Sequence, residues 1–154
     1  MPTPVAVVTT VCDGTPYGLM AGSFVAVSLG PPVSLDPPLM GFFVAVSSMI
    51  RPRMAGAGSF AVNVLAAGQD RLCAPVRPVR RGQVRRGAVG ALRPRPSPAA
   101  GAVLRLGCRA GETRPAGDHT LVVGRVAAVE EPGPRGKSPP VFHDRLPRAL
   151  PAVG

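Results

Sequence analysis

Val5-Ala6-Val7-Val8-Thr9-Thr10-Val11 is an unbroken run of small and β-branched residues between Pro4 and Asp13-Gly14, which predicts a buried strand ending in a turn. Tyr17 to Leu29 predicts a second strand. Gly14 at the tip, with Thr15-Pro16 behind it, predicts a hairpin between the two. Leu39 to Val46 and Phe60 to Leu65 read as a third and a fourth strand, and Ser48 to Gly58 between them has room for one short helix, capped by Ser47 or Ser48. Ala102 to Arg109 and His119 to Glu130 are further strands, while the Pro and Gly content of Pro132 to Pro140 predicts a loop. Strands far outnumber helices, so the pattern predicts a mainly β protein, a barrel or a sandwich.

Two stretches break this pattern. Val27-Ser28-Leu29-Gly30-Pro31-Pro32 is followed at once by Val33-Ser34-Leu35-Asp36-Pro37-Pro38, a tandem duplication that is too short for a solenoid and predicts a longer Pro-rich loop after the second strand. The other is basic: Arg77, Arg80, Arg81, Arg85, Arg86, Arg93 and Arg95 carry seven of the ten units of net positive charge, leaving about +3 for the remainder. Such a run can neutralise phosphates, but it holds no aromatic for base stacking. Pro75, Pro78, Pro94 and Pro96 also forbid a continuous basic helix, so the pattern argues against nucleic-acid binding.

The length of 154 residues suits one domain, and the 45% hydrophobic content argues against wholesale disorder. No uncharged apolar run reaches the roughly 18 residues of a membrane-spanning helix, and the first residues lack the basic patch of a secretory signal, so a cytoplasmic protein is expected. Cys12, Cys73 and Cys108 match neither a zinc site nor a disulfide framework and read as small buried residues. With two histidines in all, no metal site is expected. Asn63, polar within an apolar strand, is expected to hydrogen-bond a loop backbone.

Several segments together resemble the flavin-reductase-like split-barrel family, the small reductases that supply reduced flavin to two-component monooxygenases. They are Val5 to Thr10 before a turn; Gly18 to Leu29 ending in Val-Ser-Leu; Asp36-Pro37-Pro38-Leu39; Ser59-Phe60-Ala61-Val62-Asn63-Val64-Leu65; and Gly117-Asp118-His119-Thr120 running into Val122-Val123-Gly124-Arg125-Val126. Phe142-His143 is similar to the family's closing strand. The resemblance covers about residues 3 to 73 and 100 to 146, and implies one six-stranded antiparallel Greek-key split β-barrel over 3–146, with one or two short helices and a tail over 147–154.

Residues 74–96 depart from the family, where a Phe-Ala and then a Lys-Phe-Ala-Gly are expected. Back-translated with GC-rich codons, with the third bases free to choose, and read one base later, Ala74 to Gly87 can give Pro-Arg-Phe-Ala-Arg-Ser-Gly-Gly-Gly-Lys-Phe-Ala-Gly. A local frameshift restored near Ser97 accounts at once for the arginines, the prolines and the missing aromatics.

The family's activity is hydride transfer from the nicotinamide of NADH or NADPH to FMN or FAD, a reaction that needs two stacked rings and no side-chain nucleophile. By resemblance, Met20, Ala21, Gly22, Ser23 and Phe24 line the isoalloxazine, and Ser28 lies on the same stretch. Ser47 and Ser48 form the phosphate-binding turn, with hydroxyls and free helix N–H groups, and Arg51 and Arg53 add charge. His119 contacts the nicotinamide as the catalytic residue, Gly117 keeps its approach open, and Asp118 orients it. Read without the family, Ser23 and Phe24 are an ordinary strand end, Ser47 and Ser48 a plain helix cap and His119 a surface residue. The resemblance further implies a homodimer and a partner monooxygenase. The rival functions are a flavin-binding barrel without turnover, which the altered basic segment would favour, and a basic nucleic-acid binder.

Overall fold

The computed structural model describes residues 5–26, 38–66, 102–130, 141–143 and 146–148. The duplicated hexapeptide up to Pro37, Ser28, Cys73, the arginine segment and the Pro132–Pro140 loop lie outside these residues. Nine strands and one helix are formed among them: β1 (Ala6–Cys12), β2 (Thr15–Ala21), β3 (Val25–Ala26), β4 (Leu39–Ala45), α1 (Arg51–Ala57), β5 (Ser59–Val64), β6 (Leu104–Ala116), β7 (His119–Glu130), β8 (Val141–His143) and β9 (Leu146–Arg148). The last two pair with each other as a separate antiparallel hairpin.

The other seven strands hydrogen-bond in the order β2-β1-β5-β6-β7-β4-β3, and every pairing is antiparallel. β2 and β3 sit at opposite ends of that order, yet only Gly22, Ser23 and Phe24 separate them in the chain. The run from Thr15 to Ala26 therefore bridges both edges and curls the sheet into a split barrel. Counted as one bent strand, it makes the barrel six-stranded, as the sequence implied.

Local chemistry sets the turns. β1 and β2 are joined by Asp13-Gly14, with Cys12 opposite Thr15 and both turn residues at positive φ (50° and 72°). Those values are what a two-residue type I′ hairpin requires, and Asp-Gly supplies them at little steric cost. β6 and β7 turn at Gly117-Asp118, where Gly117 takes φ 62° at the first central position. β6 runs through Ala116, well beyond the expected end at Arg109. Register shifts at Gly107/Cys108 and Ala110/Thr113 mark bulges that let the long hairpin bend.

Alternation along the strands builds the core. Ala6 and Val8, Met40, Phe42 and Val44, Phe60 and Val62, Leu106 and Cys108, and Val122 all point inward with Met54 of α1. Phe42 and Phe60 meet edge to face, centroids 5.4 Å apart. The Phe60 ring lies over β7 only because position 124 is glycine, since a Cβ there would come within 2.3 Å of Cζ. On the opposite face of the sheet, Asn63 is fully buried and donates to the carbonyl of Val7 at 3.1 Å, while Arg105 Nε donates to Asn63 Oδ1 at 3.0 Å. The expected loop partner of Asn63 is thus a neighbouring strand, because Val7 stands directly opposite it. Cys108 is a buried core residue whose thiol burial pushes up to about 12. Cys12, expected to be buried, is only half-buried beside the β1–β2 turn.

Candidate functional site

The same alternation leaves an apolar strip on the outer face. Thr120, Val122 and Gly124 of β7 point inward, so His119, Leu121, Val123 and Arg125 point outward. On β4, Met40, Phe42 and Val44 enter the core and Gly41, Phe43 and Ala45 face out. The register sets Ala45 beside His119, Phe43 beside Leu121 and Gly41 beside Val123, with Val25 of β3 on the far side of Gly41. Phe43 and Val25 are 36% and 48% exposed. An aromatic ring and its aliphatic neighbours thus form an accessible surface with an imidazole at its end. Sequence reading missed Phe43, although consecutive Phe42-Phe43 in a strand must place one ring on each face.

His119 is held from its own turn. Its Nδ1 lies 2.7 Å from Oδ1 of Asp118, an acceptor when ionised, so Nδ1 carries the proton and Nε2 is left for a ligand. The hydrogen bond and charge of His119 hold the Asp118 carboxyl below its ordinary range. Asp118, expected to orient the histidine, is the hydrogen-bond partner of its ring. The turn is tied to the neighbouring connection because Val46 N–H donates to the carbonyl of Asp118 at 2.9 Å. Ser47 and Ser48 follow directly, so the two motifs, far apart in sequence, meet at one end of the sheet.

The capping expectation is corrected. Neither serine caps α1: its N-cap is Ile50, with helical φ and ψ and no side-chain cap. Ser48 Oγ instead accepts from Ile50 N–H at 3.4 Å. α1 has seven residues with Pro52 in its first turn, which provides no N–H there.

The Met20–Phe24 segment divides. Ser23 Oγ accepts from Phe43 N–H at 3.2 Å, which places its hydroxyl at the strip, where its own proton remains to donate. The side chain of Ala21 is in the core, and Phe24 packs against the core while staying half-buried. Met20 sits opposite Val7, and Gly22 follows as the chain leaves β2.

Arg51 is not brought to His119. Its Nη1 donates to Thr120 Oγ1 at 3.4 Å on the inner face, in a cleft of about 390 Å³ lined also by Pro52, Met54, Ala110, Thr113 and Val122. Arg53 lies over the ring of Tyr17, 5.6 Å from its centroid, and braces α1 against β2. Among the described residues no group of His, Cys, Asp and Glu is placed to hold a metal, and no helix is long and apolar enough to cross a membrane.

The chain is thus a curled antiparallel split barrel with an accessible apolar strip and a carboxylate-held imidazole at its rim. The family described as "Flavin reductase like domain" matches residues 1–151. The chain is 36% identical over 148 residues to "Flavin reductase (NADH)" of Kitasatospora aureofaciens, covering 90% of this chain and 70% of that one. Among solved structures it resembles BorF, the flavin reductase component of a bacterial two-component tryptophan halogenase, with TM-score 0.77 and 30% identity over 99% of this chain and 93% of that one. It also resembles the NADH:FAD oxidoreductase SgcE6 of Streptomyces globisporus in complex with NAD and FAD fragments, with TM-score 0.76 and 27% identity over 98% and 87%. The chain spans about half the length of one matched solved chain, 49%. It belongs to the flavin reductase-like family, a class of NAD(P)H:flavin oxidoreductases.

Proposed function

We propose that this chain catalyses the NAD(P)H-dependent reduction of FMN or FAD and releases the reduced flavin to a partner monooxygenase. The observation that carries the proposal is the outer strip of Val25, Phe43, Ala45 and Leu121 ending at His119. Its chemistry fits a flavin: an apolar floor for the ring body, a Ser23 hydroxyl for the polar edge, and the Ser47 and Ser48 hydroxyls beyond the end of β4 for the phosphate, with Arg51 adding charge from the inner side. When bound, the flavin supplies the hydride acceptor.

The remaining work belongs to the chain. Phe43 and its neighbours exclude water from one face of the strip. Asp118 fixes the imidazole and keeps the proton on Nδ1, so that Nε2 meets the nicotinamide, and Gly117, with no side chain, leaves that approach open. The reading includes a homodimer, favoured by the apolar surface that Val46 and Met49 expose beside the strip at 47% and 69%. It also includes a cytoplasmic location, with which the free thiols of Cys12 and Cys108 agree.

Titration with FMN and then NADH tests the proposal. NADH oxidation that depends on added flavin is expected, falling by about tenfold or more in His119→Ala with flavin affinity retained. Flavin bound without turnover would leave the binding half alone standing, and no binding would overturn both.

A further inference from the structure

The cleft on the inner face lies on the other side of the sheet from the strip. It encloses about 390 Å³ between α1 and the distal half of the β6–β7 hairpin, within the size of a small-molecule site. Its floor is apolar: Met54 and Val122 are buried, with Ala110 beside them. Its polar groups are the guanidinium of Arg51 and the hydroxyls of Thr113 and Thr120.

A bulge decides which polar groups face the cleft. Leu106, Cys108 and Ala110 alternate inward along β6, so an unbroken strand would turn Glu112 inward next. Instead β6 takes three steps from Ala110 to Thr113 while β7 takes two from Gly124 to Val122, which sets Thr113 opposite the inward-facing Val122. Glu112 is left exposed and paired with Arg114 at 2.7 Å. A hydroxyl thus stands where a carboxylate would have neutralised Arg51. The other described acids are engaged or placed elsewhere: Glu130 with Arg105, Asp118 with His119, and Asp13 in the β1–β2 turn. The partner of Arg51, Thr120 Oγ1 at 3.4 Å, is neutral. It takes one of five N–H donors and leaves the charge in place. Thr120, 7% exposed, accepts in that contact and keeps its own proton to donate.

A cation without a counter-ion and two hydroxyls beside an apolar floor match an anion with an apolar body. We propose that the inner cleft binds a small carboxylate of that kind, its oxygens on Arg51 and Thr120 and its body over Met54 and Val122. A guanidinium suits a carboxylate because its parallel N–H donors meet both oxygens. This ligand is separate from the flavin of the outer strip. Arg51 is the one residue shared with that reading, so the test begins without flavin.

Labelled protein is titrated with phenylacetate and followed by its amide chemical shifts. Saturable changes at Ala110, Thr113 and Thr120 are expected, with Phe43 and Leu121 of the outer strip unmoved. Phenylacetamide keeps the body without the charge, and acetate keeps the charge without the body; each should bind about tenfold more weakly or worse. Arg51→Gln should weaken phenylacetate by about tenfold. Thr113→Trp, a substitution at an exposed position on the cleft wall, should fill the space and abolish the changes at Ala110 and Thr120. No saturable change in the wild type overturns the inference. So does phenylacetamide binding as well as phenylacetate, unchanged affinity in Arg51→Gln, or binding retained by a Thr113→Trp protein that circular dichroism shows folded. FMN added last should leave the cleft signals in place. Displacement of phenylacetate by FMN, with new shifts at Ala110 and Thr113, gives the cleft to the flavin and overturns the inference. Failure of FMN to bind at all defeats the flavin reading alone, and phenylacetate binding then still supports the carboxylate site.

Discussion

Gly124→Ala is the sharpest test of how this barrel is packed. Gly124 lies on the inner face of β7, between Met40 of β4 and Ala110 of β6. A methyl group there would stand 2.3 Å from Cζ and 3.0 Å from Cε1 of Phe60, and 3.2 Å from Cβ of Cys108. Carbon atoms pack at about 3.5–4.0 Å, so the ring has to retreat by roughly 1 Å or more. It has little room to do so, being 2% exposed and set edge-on against Phe42.

Two effects compete in that substitution. Replacing a strand glycine relieves about 0.5–1 kcal/mol of backbone entropy cost. Overpacking costs about 1–3 kcal/mol, and disturbing the aromatic pair removes up to about 0.5–1.5 kcal/mol more. Overpacking wins, with a net loss of about 1–3 kcal/mol and a Tm lower by roughly 2–10 °C in a chain of this size. Thermal unfolding followed by circular dichroism measures it, alone and in a Phe60→Leu background, where the smaller side chain relieves the contact and the loss should shrink. A Gly124→Ala protein as stable as the wild type, or one equally destabilised in both backgrounds, would refute the packing argument.

Asn63→Leu removes the acceptor for Arg105 Nε and leaves a guanidinium, 4% exposed, with Glu130 as its remaining charged neighbour. A loss of about 2–4 kcal/mol in denaturant unfolding is expected, and a loss below about 0.5 kcal/mol would contradict the burial of that network. Cys108, its thiol pushed up to about 12, should resist alkylation at pH 8 in the native protein and react on unfolding. Its raised value also means stability that is full below the ordinary thiol range and drains away as pH climbs from about 9 toward 12. Asp118 has the opposite sign: held down by His119, it favours the folded state above its ordinary range and loses that contribution as pH falls through its lowered midpoint. NMR titration of its carboxyl should show the midpoint move up in His119→Ala, and an unmoved midpoint would mean the pair does not form in solution.

Much of the fold was legible because its signals are local. β1, β4, β5 and the start of β7 fall where runs of β-branched and aromatic residues predicted them, and Asp13-Gly14 specified its own turn. The distal half of β6 was missed because Gly111 to Ala116 is polar, exposed and interrupted by Pro115, so it has no apolar period to read. The Gly117-Asp118-His119 motif carried its geometry in three adjacent residues. Phe43, Val25 and Leu121 did not, since their common face exists only once three strands lie in register. Arg51 follows the serines in sequence, but the direction of its guanidinium, to Thr120 on the inner face, is set by the seven-residue helix that begins at that point.

The account depends most on the outer face of β3, β4 and β7 being where the flavin lies. Amide chemical shifts of the labelled protein titrated with FMN test this directly. Saturable changes at Ser23, Phe43, Leu121 and His119 are expected, with Ala110 and Thr113 of the inner cleft unmoved; changes confined to the inner cleft, or none at saturating FMN, would contradict it.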